Sequence, residues 1–231
     1  MLHINDLSIS VRGKPIISHL SLSIPAGQVH LLQGPNGAGK SSLLYAIMGH
    51  PLYQQTGGEI VVQGTVVNDL PVHDRARLGI FLAFQQPPAL PGVSVSDFLY
   101  QTYCAYTQTV VQQAAFMVHV VKACDELTLD HAFLTRSFNE GFSGGERKRM
   151  ELLQLLLLQP KLLLLDEIDT GLDADGLQQI TKVIQRLRER AVHTTVLFVS
   201  HQPKSLRFDF DQVHTMQAGK IIKKESDASA L

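Results

Sequence analysis

Over residues 2–33 short apolar runs alternate with polar positions and are broken by turn residues at Arg12-Gly13-Lys14-Pro15 and Pro25-Ala26-Gly27. That punctuated period of two predicts antiparallel strands and hairpins. The lobe closes in a core strand, Val29-His30-Leu31-Leu32-Gln33, and Lys40 to Met48 then predicts a helix stopped by Gly49 and Pro51. Gly57-Gly58 opens a further β pair, Glu59–Val62 with Thr65–Val67, turning at Gln63-Gly64. A short helix near Asp74–Leu78 and an apolar strand Ile80–Phe84 bring the chain to Gln85.

Beyond the proline-bearing segment Pro87-Pro88-Ala89-Leu90-Pro91 the pattern changes. Aromatics, Gln, Thr and β-branched residues mix at helical spacing, which predicts a small α-helical subdomain over about 94–137. After Phe142 the rhythm is helix 144–158, strand Leu162–Leu165, helix 174–190 and strand Thr194–Ser200. A hairpin, Gln212–Gln217 with Lys220–Lys223, precedes a polar tail expected to fray. Strands alternating with helices predict an α/β fold whose mainly parallel sheet is flanked by helices. The expected organisation is one domain, 1–231, with a core of 1–93 and 138–231, an N-terminal antiparallel β lobe and the inserted helical subdomain.

Composition narrows the function classes. A chain of 231 residues can bury roughly 70–75% of its unfolded surface, enough for one core with a subdomain. With 20 basic against 21 acidic side chains, no overall positive field favours nucleic acid or an anionic membrane. The most apolar stretch, Leu152 to Leu165, is interrupted by Gln154, Gln159, Pro160 and Lys161, short of about 18 uninterrupted apolar residues, so direct membrane insertion is not expected. Met1–Asp6 carry neither the basic nor the apolar region of a signal peptide, and Cys104 and Cys124 lack the C-x-x-C spacing that holds zinc or an iron–sulfur cluster. These features lead to the expectation of a cytoplasmic protein with two reduced thiols.

Chemistry enters at Gly34-Pro35-Asn36-Gly37-Ala38-Gly39-Lys40-Ser41, which fits G-x-x-x-x-G-K-[ST] at every fixed position and sits between a strand and a helix. The glycines let successive N–H groups turn inward, and the helix N-terminus adds positive potential, so this loop with Ser42 is expected to bind the phosphates of ATP. Lys40 would meet the β and γ oxygens and Ser41 would be a ligand for Mg²⁺. Leu162-Leu163-Leu164-Leu165-Asp166-Glu167 has the form of a Walker B strand, its carboxylates at the end where open α/β sheets form their crevice. Asp166 would hold Mg²⁺ and Glu167 would orient the attacking water. Neighbouring strand residues face opposite ways, which leaves open that one carboxylate is a surface charge or a helix cap.

Together with Ser143-Gly144-Gly145-Glu146, these motifs resemble the ATP-binding cassette (ABC) ATPases, and the resemblance covers nearly the whole chain. It implies that Ser143, Gly144 and Gly145 cover the γ-phosphate held by a second ABC subunit. It further implies that Gln85 is a Q-loop glutamine near Mg²⁺ and the attacking water, that His201 contacts the γ-phosphate, and that Asp173 belongs to an interface loop. Asp173 also suits the N-cap of the next helix, and both roles are compatible. Arg147-Lys148-Arg149 read as a solvated face, not a nucleic-acid patch.

Two stretches, Gly79–Ser94 and Thr135–Arg149, are similar to the SufC family, the soluble ATPases of the Suf iron–sulfur cluster assembly system. That likeness implies the scaffold proteins SufB and SufD as partners, remodelled by ATP-driven dimerisation. Cassettes often stack adenine on an aromatic near Val11 or Arg12, and none stands there. The alternative is the nucleotide-binding subunit of a membrane transporter, which uses the same catalytic parts. A nucleotide-controlled clamp on DNA or ribosomes is disfavoured by neutral charge and the lack of a long heptad insertion.

Overall fold

Strand β1 (Leu2–Val11) and strand β2 (Lys14–Ile24) form where apolar residues alternate with polar ones, burying Leu2, Ile4, Leu7, Ile9, Ile17, Leu20, Leu22 and Ile24. The two pair antiparallel, and the register slips near Asp6 and His19, both in the left-handed region at φ 52°. The computed structural model describes residues 1–83, 88–167, 174–189, 194–200 and 209–225. The chain divides into two compact units, Met1–Phe84 with Pro160–Asp169 and Arg188–Leu231, and Gln85–Gln159 with Thr170–Leu187.

In the first unit, β1 also pairs antiparallel with β4 (Tyr53–Val62), which pairs with the short β5 (Thr65–Val66), giving a sheet in the order β2-β1-β4-β5. Strand β4 begins at Tyr53, six residues before the pattern of its apolar positions predicts. Its Gln-Gln-Thr-Gly-Gly start lacks buried apolar residues, and the backbone pairing of Tyr53, Gln54, Gln55 and Gly57 with β1 makes it a strand. Gly58 is obligatory there: a Cβ would lie 2.4 Å from the Asp6 carbonyl oxygen at a φ of 79°.

The second sheet of this unit has six strands. β3 (Val29–Gln33), β6 (Ile80–Ala83), β9 (Leu162–Asp166), β10 (Thr195–Val199) and β11 (Gln212–Gln217) run parallel in the order β11-β3-β10-β9-β6, and β12 (Lys220–Glu225) joins β11 antiparallel. Strands β9 and β10 are buried at every position, as expected of a parallel sheet covered on both faces. Helix α1 (Lys40–Met48) buries Leu43, Leu44, Ala46 and Ile47 in the core shared with the antiparallel lobe, and the short α2 (Val72–Arg77) precedes β6.

Two buried histidines interrupt the apolar sheet. His214 on β11 and His30 on β3 are 0% and 1% exposed, and their rings hydrogen-bond at 2.9 Å. His30 Nε2 also meets Gln28 Oε1 at 2.8 Å, an oxygen that accepts, so His30 carries its proton there and offers Nδ1 to the His214 Nε2–H. That leaves His214 Nδ1 buried without a partner.

The second unit holds α3 (Val95–Thr107), α4 (Gln113–Glu126), a 3₁₀ turn (His131–Thr135), α5 (Gly144–Leu158) and α6 (Ala174–Arg188), of which all but the last residue lies in this unit. Helices α3 and α4 each pack on α5. A two-stranded ribbon, β7 (Leu90–Ser94) with β8 (Ser137–Phe138), ties the entry of this unit to the approach to α5. Pro91 and Gly92 hide β7 from any periodicity. No helix among the described residues is long and apolar enough to cross a membrane.

Candidate functional site

The turn after β3 lies hard against β11. A Cβ on Gly34 would sit 2.1 Å from the Met216 carbonyl oxygen, so only glycine permits this approach. Gly37 and Gly39 follow at φ 77° and 102°; Pro35, Asn36 and Gly37 form the exposed crest, while Ala38 is buried. Gly39 is the N-cap of α1, and neither a capping side chain nor an acidic first-turn residue occupies the helix start. The first turn, with Lys40, Ser41 and Ser42, therefore presents backbone N–H groups and positive dipole without a built-in anion, which suits an anionic ligand.

Lys40 is 4% exposed and donates from Nζ to the carbonyl oxygens of Gly34 at 3.0 Å and Pro35 at 3.1 Å. Burial lowers its pKa from the ordinary lysine value, while the charges of Glu167 and Asp166 pull the other way. Asp166 ends β9 and is 3% exposed; its Oδ1 accepts a hydrogen bond of 3.0 Å from Ser41 Oγ. Parallel pairing of β9 with β10 and β6 sets Asp166 at the strand end facing α1. Carboxylate and hydroxyl oxygens are the hard donors that a small divalent cation takes. The loop, its lysine and this oxygen pair fit a phosphate chain with such a cation.

Glu167 departs from simple strand alternation. Its N–H donates to the Val199 carbonyl at 3.0 Å, and its φ of 50° is left-handed. The strand ends at Asp166, so the opposite-face rule does not govern Glu167, and its charge acts on Lys40 together with that of Asp166.

Two residues near this centre carry no sequence signal beyond spacing. Tyr45, four residues after Ser41 on α1, stacks on Tyr53 of β4 with ring centres 5.2 Å apart and planes 7° apart. Burial raises the pKa of both phenols, and the charge of Asp166 raises each further. The i,i+4 step along α1 places Tyr45 on the face of Ser41.

In the second unit, Ser143 is the N-cap of α5. Its Oγ accepts the Glu146 N–H at 3.3 Å, while Glu146 Oε2 accepts the Ser143 N–H at 2.6 Å, a complete capping box. A Cβ on Gly144 or Gly145 would meet nothing within 4 Å, so this helix start is open. The S-x-x-E spacing is its signature in the sequence. Gln85, His201 and Asp173 lie outside the described residues, as does the polar tail beyond Glu225.

The family model described as ABC transporter matches residues 17–170. The chain is 42% identical over its full length, and over 91% of the relative, to the probable ATP-dependent transporter slr0075 of Synechocystis. It is 39% identical to vegetative protein 296 of Bacillus subtilis, over 96% of this chain and 85% of that one. In fold it is similar, at TM-score 0.84 and 20% identity over 98% of both chains, to the dimeric ATP-binding cassette MJ0796 in a post-hydrolysis state bound to ADP and Pi. A nucleotide-free cassette from an ABC transporter superposes at TM-score 0.80 and 21% identity, over 99% of this chain and 92% of that one.

Proposed function

The chain belongs to the ABC transporter family, and from that premise we propose that it is an ATP-hydrolysing subunit that pairs with a second ABC subunit and serves iron–sulfur cluster assembly. The Ser41–Asp166 hydrogen bond carries the ATPase reading, because it joins the phosphate loop to the carboxylate strand at one point. Lys40 exchanges the Gly34 and Pro35 carbonyls for β- and γ-phosphate oxygens, and the first turn of α1 receives the phosphate chain. Ser41 and Asp166 hold Mg²⁺, which when bound neutralises charge on the phosphates. Glu167 orients a water and takes its proton as the oxygen bonds to the γ-phosphorus; the β–γ bridging P–O bond breaks, and ADP and phosphate leave. Gln85 and His201 assist at the γ-phosphate. Ser143, Gly144 and Gly145 close on the nucleotide of the opposite subunit, and Asp173 lines that interface. The dimeric cassette bound to ADP and Pi supports both the pairing and the reaction class.

The finer assignment, a SufC-like subunit acting on SufB and SufD, is supported by the residues Gly79–Ser94 and Thr135–Arg149. A transporter subunit is the second reading, favoured by the relatives' description as ATP-dependent transporters. Affinity capture of the full chain from separated soluble and membrane fractions, with mass spectrometry, distinguishes them. Recovery of SufB- and SufD-like scaffold from the soluble fraction is expected. A stoichiometric polytopic membrane protein in its place would overturn the assembly role and leave the ATPase reading intact.

A further inference from the structure

Glu146 sets a problem for a helix start that must receive an anion. It is a carboxylate in the first turn of α5, held below the usual carboxylate range chiefly by the Ser143 N–H, and it lies three residues from Ser143. A negative charge there opposes the approach of a γ-phosphate, while its removal would unmake the capping box.

The surrounding contacts address both demands. Glu146 Oε2 is engaged by the Ser143 N–H, and Oε1 faces Arg136 Nη1 at 3.5 Å. Arg136 is clamped in turn: its guanidinium carbon lies 4.5 Å from the ring centres of both Phe133 and Phe142. Those rings meet edge to face at 5.1 Å, and Phe142, 2% exposed, directly precedes Ser143. Two aromatic faces hold the cation by attraction to their π systems and limit its rotamers. Of the basic run that follows, Lys148 is engaged by Glu151 at 2.6 Å.

We propose that Arg136 is a positioning residue for the Ser143-Gly144-Gly145 loop, cancelling the charge of Glu146 and fixing its carboxylate so that the capped helix start accepts a phosphate. The inference rests on the reading above, in which this loop covers the partner subunit's nucleotide.

A double-mutant cycle tests it. The Glu167→Gln full chain, which retains bound ATP on this account, serves as reference, and Mg·ATP-dependent dimerisation is followed by sedimentation at two salt concentrations. Arg136→Gln should weaken pairing about tenfold, more at low salt than at high, because an uncancelled like charge is screened by ions. In a Glu146→Gln background the same substitution should change pairing less than about twofold, since no charge is left to cancel. Monomer affinity for a fluorescent ATP analogue and the thermal midpoint are read on each variant, and Arg136→Lys, which keeps the charge, should recover part of the loss. An equal cost in both backgrounds would overturn the proposal and make Arg136 a packing element for Phe133 and Phe142. No cost in either would overturn it outright. Failure of the reference chain to pair at all would overturn the opposed-site reading itself, a result distinct from both.

Discussion

Replacing Arg75 with methionine removes a buried cation from the far end of the helix that starts at the phosphate loop. Arg75, on α2, is 4% exposed and donates to four backbone carbonyls: Ala46 and Ile47 in the last turn of α1 at 2.9 Å each, and Asn68 and Leu70 at 2.8 Å each. Burial lowers its pKa and the charge of Asp69 pulls it back. The guanidinium thus acts as a C-terminal cap for α1, where positive charge complements the helix dipole. After the substitution the Ala46 carbonyl keeps the Gly49 N–H at 3.0 Å, whereas Ile47, Asn68 and Leu70 lose the guanidinium. Ile47 is buried and Asn68 and Leu70 are half-buried, so the Ile47 carbonyl bears the full cost of a buried acceptor left unsatisfied, about 1–3 kcal/mol, and the other two a smaller one each. Methionine keeps the apolar stem and relieves the desolvation of the cation, so the net loss is about 3–5 kcal/mol. For a chain of this length that lowers the thermal midpoint by about 10 °C. Urea unfolding followed by circular dichroism, with the slope held fixed, measures it directly. Arg75→Lys should recover less than half, because an ammonium cannot span four carbonyls in the plane of a fork. A loss below about 1 kcal/mol would refute the capping role and show that the carbonyls find other partners.

The histidine pair makes stability depend on pH. Burial lowers both His30 and His214 from 6.5 to about 4, and protonating His214 would place an N–H on a buried Nδ1 that has no acceptor. The unfolded chain binds these protons first, so stability is full above pH 6.5 and falls as pH drops toward 4. A single shift of this size amounts to about 3 kcal/mol, and His214→Leu should flatten that limb of the urea-midpoint profile. A profile unchanged between wild type and variant would rule the pair out as its source. Glu167→Gln should keep ATP binding and lower turnover by about 10²–10⁴-fold, the range for losing a general base; an unchanged rate of phosphate release would remove Glu167 from that role. Lys40→Ala should weaken nucleotide binding by the isolated chain while leaving the thermal midpoint of the nucleotide-free protein within a few degrees, as checked by fluorescence titration and calorimetry.

The parts of the site built from local backbone were the most legible. Gly34 to Ser41 prescribe a turn and a helix start by residue type alone, and Ser143 with Glu146 prescribes a capping box by spacing. Leu162 to Asp166 was legible as a buried strand from its flanks: the like run Leu155 to Leu158 continues helix α5, whereas the second run of four leucines is set off by Pro160-Lys161 and is short enough for a strand of a sheet covered on both faces. What required the fold were interactions set by distant partners. Gln54 to Gly57 form a strand because β1 offers free backbone groups beside them, which no property of those residues declares. Arg75 looks like any charged residue of a short surface helix until the end of α1 arrives above it. The pairing of His30 with His214 depends on two parallel strands 184 residues apart in sequence. Glu167 escaped the alternation rule because its left-handed φ follows the last paired residue, a position that pattern alone does not mark.

The central claim is that this chain holds half of an ATP site and that Ser143 completes the half held by a partner. Sedimentation of Ser143→Arg in the Glu167→Gln background, with and without Mg·ATP, tests it most directly. The account predicts that the variant binds ATP as the parent does and remains monomeric, while the parent pairs. ATP-dependent pairing of the variant with the parent's affinity would contradict it.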